Sequence, residues 1–237
     1  GNLGISLRYQ SPVIELLPPR AAVTFFLVTY SLALSVLIAV PLALIAAFYR
    51  NRWPDQVIRA AIALPLAAPA FWVGILLLIL FALKFRWLPA SGYGDGALDH
   101  LRHLLLPALT LSFAFASVLC RNLRSSLVDV MSTAYVDFAR AKGLRRRVVL
   151  FRHVFRAALL PMVTLIGARL SFAIGGAVVI ETVFAIPGLG SWMVDSIYSR
   201  DYAVVQTLTL IFALGTMLIN LATDLLYPLF DPRLRMG

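Results

Sequence analysis

The sequence predicts an all-α membrane protein, a polytopic bundle with five membrane-spanning helices in this chain. Three observations predict it. The 237 residues are 61% hydrophobic and only 14% charged, too little polar surface for a water-soluble domain of this size. Five runs are free or nearly free of charge: 21–49, 60–83, 104–120, 157–180 and 202–223. A spanning helix needs roughly 20 apolar residues at about 1.5 Å each. Finally, Arg and Lys concentrate in alternate connections between the runs. A β-barrel is excluded, because barrel strands alternate polar and apolar residues and these runs do not.

Charge placement sets the topology. The segment 121–158 carries Arg121, Arg124, Arg140, Lys142, Arg145, Arg146, Arg147, Arg152 and Arg156, whereas 184–203 carries only Arg200 among basic residues. Basic residues gather on the cytoplasmic side, so 121–158 is inside and 184–203 outside. Counting back puts 49–59 inside, with Arg50, Arg52 and Arg59, and 84–103 outside despite Lys84, Arg86 and Arg102. Residues 1–20 then form an extracytoplasmic segment and the C-terminus is cytoplasmic. Residues 21–237 form one transmembrane domain. A chain that starts outside at Gly1, with no signal-peptide pattern, is expected to follow a further helix. The net charge of +10 is explained by this topology. No nucleic-acid motif accompanies it, so no nucleic-acid partner is predicted. Cys120 is the lone cysteine, which rules out an internal disulfide and reads as a small apolar helix residue.

Element by element, Pro12, Pro18 and Pro19 mark an irregular lead into the first span. Pro41 should kink that span. Arg50–Pro54 is a cytoplasmic connector. The second run carries Pro65 and Pro69 one turn apart, then Trp72 and Gly74. Prolines free backbone carbonyls, which are tolerated at membrane depth beside a protein wall or a watery cavity. Pro65, Pro69 and Trp72 thus mark either a pathway-lining break or a simple kink. Trp87–Gly94 is an outer turn whose aromatics suit the membrane interface. The third run continues as helix past Arg121. His100 and His103, with Asp99, make a poor metal site. They read as interfacial polar residues ahead of Pro107, and no metal is predicted. After the fourth run, Phe184–Gly190 is a turn and Ser191–Ile197 a short interfacial helix or re-entrant element. The last run ends at Pro228, followed by a charged cytoplasmic stop, Asp231–Arg235.

Charges inside the spans are costly and often functional. Arg169 lies mid-span and Asp224 about one turn above the cytoplasmic end of the last span. They read as a pair or cavity wall, or as a substrate contact. Glu181 lies near the outer end of its span. A watery vestibule, a bond to the following loop, or a substrate ammonium satisfies it.

Residues 129–158 are too polar for lipid and too patterned for a plain loop. Tyr135, Phe138 and Ala139 share one side of a helix, with Arg140 and Lys142 elsewhere. Gly143 ends or turns that helix. Arg145–Arg156 resumes a basic amphipathic helix with Val148, Val149, Phe151 and Phe155 on its apolar side, and Pro161 opens the next span. Small residues beside the turn let another protein approach the backbone.

Asp137-Phe-Ala-Arg-Ala-Lys-Gly143 resembles the Glu-Ala-Ala…Gly signature of ABC importer permeases, with Asp137 in place of Glu and Phe138 in place of the first Ala. The interval from Gly143 to Pro161 is longer than in the generic form and is similar to the dipeptide/oligopeptide/nickel branch. Pro69–Gly74, Trp87–Tyr93, Glu181–Gly190, Asp201–Gln206 and Asp231–Arg235 resemble the same branch, in family order. The resemblance implies a six-helix permease of the first of two kinds in the bacterial inner membrane, and so a helix ahead of this chain. It implies a second, related permease, two cytoplasmic ATPases and an extracytoplasmic solute-binding protein as partners, with lipid around the spans. Tyr135, Asp137, Phe138, Ala139, Arg140, Ala141, Lys142 and Gly143 become the ATPase-coupling residues. The implied cargo is a dipeptide or oligopeptide, or else nickel or a glutathione-type solute.

No G-x-x-x-x-G-K-[ST] loop occurs. The only lysines, Lys84 and Lys142, follow no such run, so this chain is not expected to hydrolyse ATP. It is expected to bind no cofactor, with ATP and Mg held by the partner ATPases. No Ser-His-Asp or metal-hydrolase pattern appears, so it is not an enzyme. A secondary transporter or channel without an ATPase is the rival class. It needs paired midplane charges or inverted repeats, which the sequence does not clearly carry.

Overall fold

The structure is a computed structural model that describes residues 3–230; the expected stop Asp231–Arg235 lies outside the described residues. The order is α1 (Val13–Phe48), α2 (Trp53–Ala67), α3 (Ala70–Leu77), α4 (Ala97–Met131), α5 (Ala134–Ala141), α6 (Arg146–Val148), α7 (Arg156–Val183), α8 (Leu189–Tyr198) and α9 (Tyr202–Phe230). Two π-helical stretches extend them, Leu78–Lys84 after α3 and Val149–Phe155 between α6 and α7. Among the described residues, three helices (α1, α4 and α9) are long and apolar enough to cross a membrane, or four with the bent pair α2 and α3, against the five expected. The remaining expected run falls in α7, which has 28 residues.

Helix α1 begins at Val13, ahead of the charge-free run, and takes in Pro18 and Pro19. Those prolines deny hydrogen bonds to the carbonyls of Ile14 and Glu15, both at exposed positions, where water can bond them. The helix then runs unbroken through Pro41. Its other face is a ladder of small residues, Ala39, Ala43, Ala46 and Ala47, buried against Ala116, Leu119, Cys120, Leu123 and Leu127 of α4. In hydrocarbon, helices associate by close packing rather than by escaping water, and small residues let backbones approach. Ser35 adds a link, its hydroxyl donating to the Ser112 carbonyl at 3.3 Å.

The elbow between α2 and α3 is a break, not a kink. Ala68 and Pro69 are both extended, at φ −103°, ψ 143° and φ −61°, ψ 135°. A residue before proline is pushed out of the helical region, and proline supplies no N–H to continue the ladder. The two halves turn by 104°.

Asp55 and Arg124 fix one end of the bundle. Arg124 donates from Nε to Asp55 Oδ1 at 2.6 Å and from Nη2 to Oδ2 at 2.5 Å. The Asn51 N–H donates to the same carboxylate at 2.9 Å. Asp55 is fully buried. It sits in the first turn of α2 and reaches back past the helix start to Asn51.

On the opposite end, residues 3–12 form a hook. The Ser6 hydroxyl donates to Asp201 Oδ2 at 2.5 Å, the Arg8 N–H at 3.3 Å, and the Thr207 hydroxyl to the Leu3 carbonyl at 3.1 Å. Burial pushes the Asp201 carboxyl up, but the Ser6 hydroxyl and the Arg8 N–H outweigh it, holding it below the usual carboxylate range. A depressed folded value gives stability that is full above the unfolded pKa and lost as pH falls through the folded one.

Two outcomes follow from these contacts. Arg124→Met strands a buried carboxylate and lowers stability by about 3–5 kcal/mol, while Arg124→Met with Asp55→Leu recovers most of it, read by thermal unfolding in detergent. Amide protection in the hook, taken as the exchange rate relative to the intrinsic rate at each pH, is steady from about pH 5 to 8 and falls as the pH drops below about 3.9, the unfolded carboxylate value.

Candidate functional site

Hydroxyls close the end of α4: Ser132 donates to the Asp129 carbonyl at 2.7 Å and Thr133 to the Val130 carbonyl at 2.6 Å. The Thr133 carbonyl then accepts from the Val136 N–H at 3.1 Å and starts α5. Gly143 follows α5 at φ +77°, the left-handed conformation that ends helices and that glycine adopts without strain.

Helix α5 has two apolar faces. Val136 and Ala139 are buried with Val149, Leu150 and Val154. Tyr135 is 46% exposed and Phe138 62%. The expected grouping of Tyr135, Phe138 and Ala139 is therefore split. Val136 sets the inward face, and Ala139, three positions on, joins it. Phe138 points outward with the Lys142 ammonium 4.6 Å above its ring. Leu144, Val148 and Phe151 are exposed too. Asp137, Ala141, Lys142 and Gly143 are also exposed. The Arg140 side chain lies outside the described residues. A Cβ built on Gly143 meets nothing within 4 Å, so the turn is open to an approaching partner.

The expected amphipathic helix from Arg145 to Arg156 is largely π-helical. Its inward residues are Val149, Leu150 and Val154, while Val148 and Phe151 face out. Wider π turns rotate each later residue away from the place a period of 3.6 assigns it. The Tyr135 hydroxyl reaches back to the His153 carbonyl at 3.4 Å.

Within the bundle, the α2–α3 elbow opens a cavity of about 660 Å³. Pro65 and Trp72 line it with Leu42, Ala68, Leu76 and Ser117. Pro69 forms the break itself. The helix is thus broken rather than kinked at Pro69, and Pro65 and Trp72 border the cavity beside the break.

Glu181 is fully buried. It accepts from the Thr24 hydroxyl of α1 at 2.6 Å and from the N–H groups of Gly190 and Ser191 at 2.7 and 3.0 Å. The Leu189 N–H donates to Thr24 Oγ1 at 2.8 Å. A carboxylate at the start of α8 answers that helix's free N–H groups and its dipole. A Cβ on Gly188 would overlap the carboxylate, and one on Gly190 the backbone of Val178. Of the three readings of Glu181, the bond to the following loop is the one observed.

Arg169 and Asp224 do not pair. Gly167 packs against Thr223 of α9, and Arg169, two positions on, lies about 200° round the helix. It lines a crevice with Val28, Leu32, Phe115 and Leu119, and its guanidinium lies 5.8 Å from the Phe172 ring. Asp224 is exposed on α9. His100 stacks on Tyr93, ring centroids 3.9 Å apart, and bonds the Tyr93 carbonyl through Nδ1 at 2.9 Å. His103 bonds the Asp99 carbonyl at 2.9 Å. His100 thus holds the turn through Tyr93, while the His103 bond stays within α4.

Sequence reasoning missed the Asp55–Arg124 pair, Thr24 as the partner of Glu181, and the Ser6–Asp201 contact. Each joins residues 69 or more positions apart. The available signal was a buried acid beside a Gly-rich turn for Glu181, and a lone acid in an otherwise basic cytoplasmic connector for Asp55.

Residues 39–236 match the family described as binding-protein-dependent transport system inner membrane component. The chain is 40% identical over 235 residues to the glutathione transport system permease protein GsiC of Pectobacterium atrosepticum, covering 99% of this chain and 75% of that protein. It is 39% identical, with the same coverage, to GsiC of Escherichia coli K12. Its fold is similar to a chain of the MetNI methionine ABC transporter in inward-facing form, at TM-score 0.77 and 15% identity, covering 92% of this chain and 98% of that one. It is also similar to an amino acid ABC transporter, at TM-score 0.69 and 12% identity, covering 91% and 94%.

Thr24→Val leaves the Leu189 N–H and one Glu181 oxygen unmet, and costs about 1–3 kcal/mol for each buried group left unpaired. Gly190→Ala overpacks the same junction by about 1–3 kcal/mol. Thermal unfolding in detergent checks both, with Ser191→Ala, whose backbone N–H is kept, as the milder control.

Proposed function

We propose, because this chain belongs to the family of binding-protein-dependent transport system inner membrane components, that it carries dipeptides or oligopeptides into the cell by alternating access. It is the membrane permease of an ABC importer. The sequence holds no phosphate loop, so the energy comes from elsewhere. In this proposal two cytoplasmic ATPases hold the ATP and Mg, a second, related permease completes the path, and an extracytoplasmic binding protein delivers the solute. The chain itself binds no cofactor. It lies in the bacterial inner membrane with its C-terminus and α5 in the cytoplasm, the side where its basic residues gather.

One observation carries the coupling role. The inward face of α5 belongs to the same buried cluster as residues of α1, α2, α4 and α7, among them Ala43, Ile62, Leu123 and Met162. Its outward face presents Tyr135, Phe138 and Lys142. An ATPase that grips the outward face therefore moves the bases of four helices as one body. Packed cores switch between discrete arrangements rather than deforming smoothly, so that push reorients the path.

The GsiC relatives favour a second cargo within the same class. Their names assign them to glutathione, a small peptide-like solute, and that solute is a proposal here as well.

Gly143→Trp tests the coupling. The bulk meets open space inside this chain, so the protein stays in the membrane. The positive φ adds about 1–2 kcal/mol of local strain. Uptake of labelled dipeptide, restored to cells lacking the gene by the full-length gene, should fall at least about tenfold, equivalent to roughly 1.4 kcal/mol of coupling. Normal uptake with Gly143→Trp sinks the assignment.

A further inference from the structure

We infer that Arg169 is an anion-binding residue of the transport path, placed to receive a carboxylate of the solute in transit; this rests on the importer function proposed above.

Arg169 lies midway along the 28 residues of α7. A charge at that depth is costly against hydrocarbon and is kept where it meets water, an opposite charge or a ligand. Among the described residues no acid forms an ion pair with it; the described pairs are Asp55–Arg124 and Asp99–His103. Asp224, the acid nearest to it in the sequence pattern, is ruled out by the packing of Gly167 on Thr223.

The face of α7 that holds Arg169 is defined by what the rest of the helix buries. Ala173 and Ala177 pack on Val28 and Phe115. Phe172, one turn beyond Arg169, is 71% exposed, and a Cβ on Gly175 would meet nothing within 4 Å. Arg169 sits at the edge of this open face. The crevice it lines with Val28, Leu32, Phe115 and Leu119 holds only about 10 Å³, enough to seat the apolar stem and too little for a solute, so a solute is met only by the charged head on the open face. The Phe172 ring lies 5.8 Å from the guanidinium, near the limit of cation–π attraction. Among the described residues no side chain takes up the fork of donors, which suits a carboxylate bound through two parallel hydrogen bonds. Peptides and glutathione both carry free carboxylates.

The test uses the complete importer with its partner subunits in proteoliposomes, in a Cys120→Ala background with Phe172→Cys. The probes are two thiol reagents of one size, an anionic sulfonate and a cationic trimethylammonium methanethiosulfonate. With Arg169 present the anionic reagent is favoured, and Arg169→Gln lowers the anionic-to-cationic rate ratio by roughly tenfold. Arg169→Lys keeps most of the preference. If the thiol introduced by Phe172→Cys reacts with neither reagent, with or without ATP, the inference is overturned, because the face then meets lipid or another subunit. An unchanged ratio in Arg169→Gln overturns it too. Dipeptide uptake without the Phe172→Cys change provides the second readout. Arg169→Gln reduces it at least about tenfold at equal membrane levels, and Arg169→Lys retains most of it. Equal uptake by Arg169→Gln contradicts the role in transit. If the Phe172→Cys importer shows the charge preference while the importer with Arg169 and Phe172 both intact takes up no dipeptide, the peptide cargo is removed and the anion site stands.

Discussion

Hydrocarbon offers no hydrogen bonds, so each polar group that faces it has to be met by the chain itself, and one left unmet, such as Arg169, must meet water or a ligand. The architecture follows from where those groups are met. Glu181 gathers the start of α8 and the hydroxyl of Thr24 around one carboxylate, joining α1, α7 and α8 at one end. Asp55 and Arg124 join α2 and α4 at the other. Between them the contact is almost wholly apolar and close, with alanines of α1 against α4.

That arrangement bears on transport. The buried cluster that includes Asp55's neighbour Ile58 also holds the inner face of α5, so this end of the bundle packs as one unit. The elbow at Ala68 and Pro69 interrupts the second span and opens a cavity beside it. In the proposed mechanism, the packed base and the broken span work as a lever with a joint. The joint is built from the one residue type that cannot complete a helical ladder.

Much of this was legible in the sequence, where it depended on local chemistry. Charge-free runs marked the helices, Gly143 marked the end of α5, and Pro65 with Pro69 marked the elbow. What escaped the sequence depended on partners far along the chain or on a change of helical period. Thr24 is an ordinary helix residue until α8 returns to it 157 positions later. Arg169 and Asp224 looked like a pair because both are charges in apolar runs, and only the azimuth fixed by Gly167 separates them. Val148 and Phe151 were assigned inward at a period of 3.6, and the π turns placed Leu150 and Val154 there instead. The start of α1 was misjudged because Pro18 and Pro19 resemble a boundary, although exposed carbonyls make them tolerable inside the helix.

The central claim is that the exposed face of α5 is where the partner ATPase grips. A photoreactive side chain at position 138, in the complete importer in native membranes, tests it most directly, with the same label at Tyr198, an exposed position beyond the other end of the bundle, as the comparison. The account predicts a covalent product with the ATPase from position 138 and none from position 198. No ATPase product from position 138, or one from position 198, would contradict it.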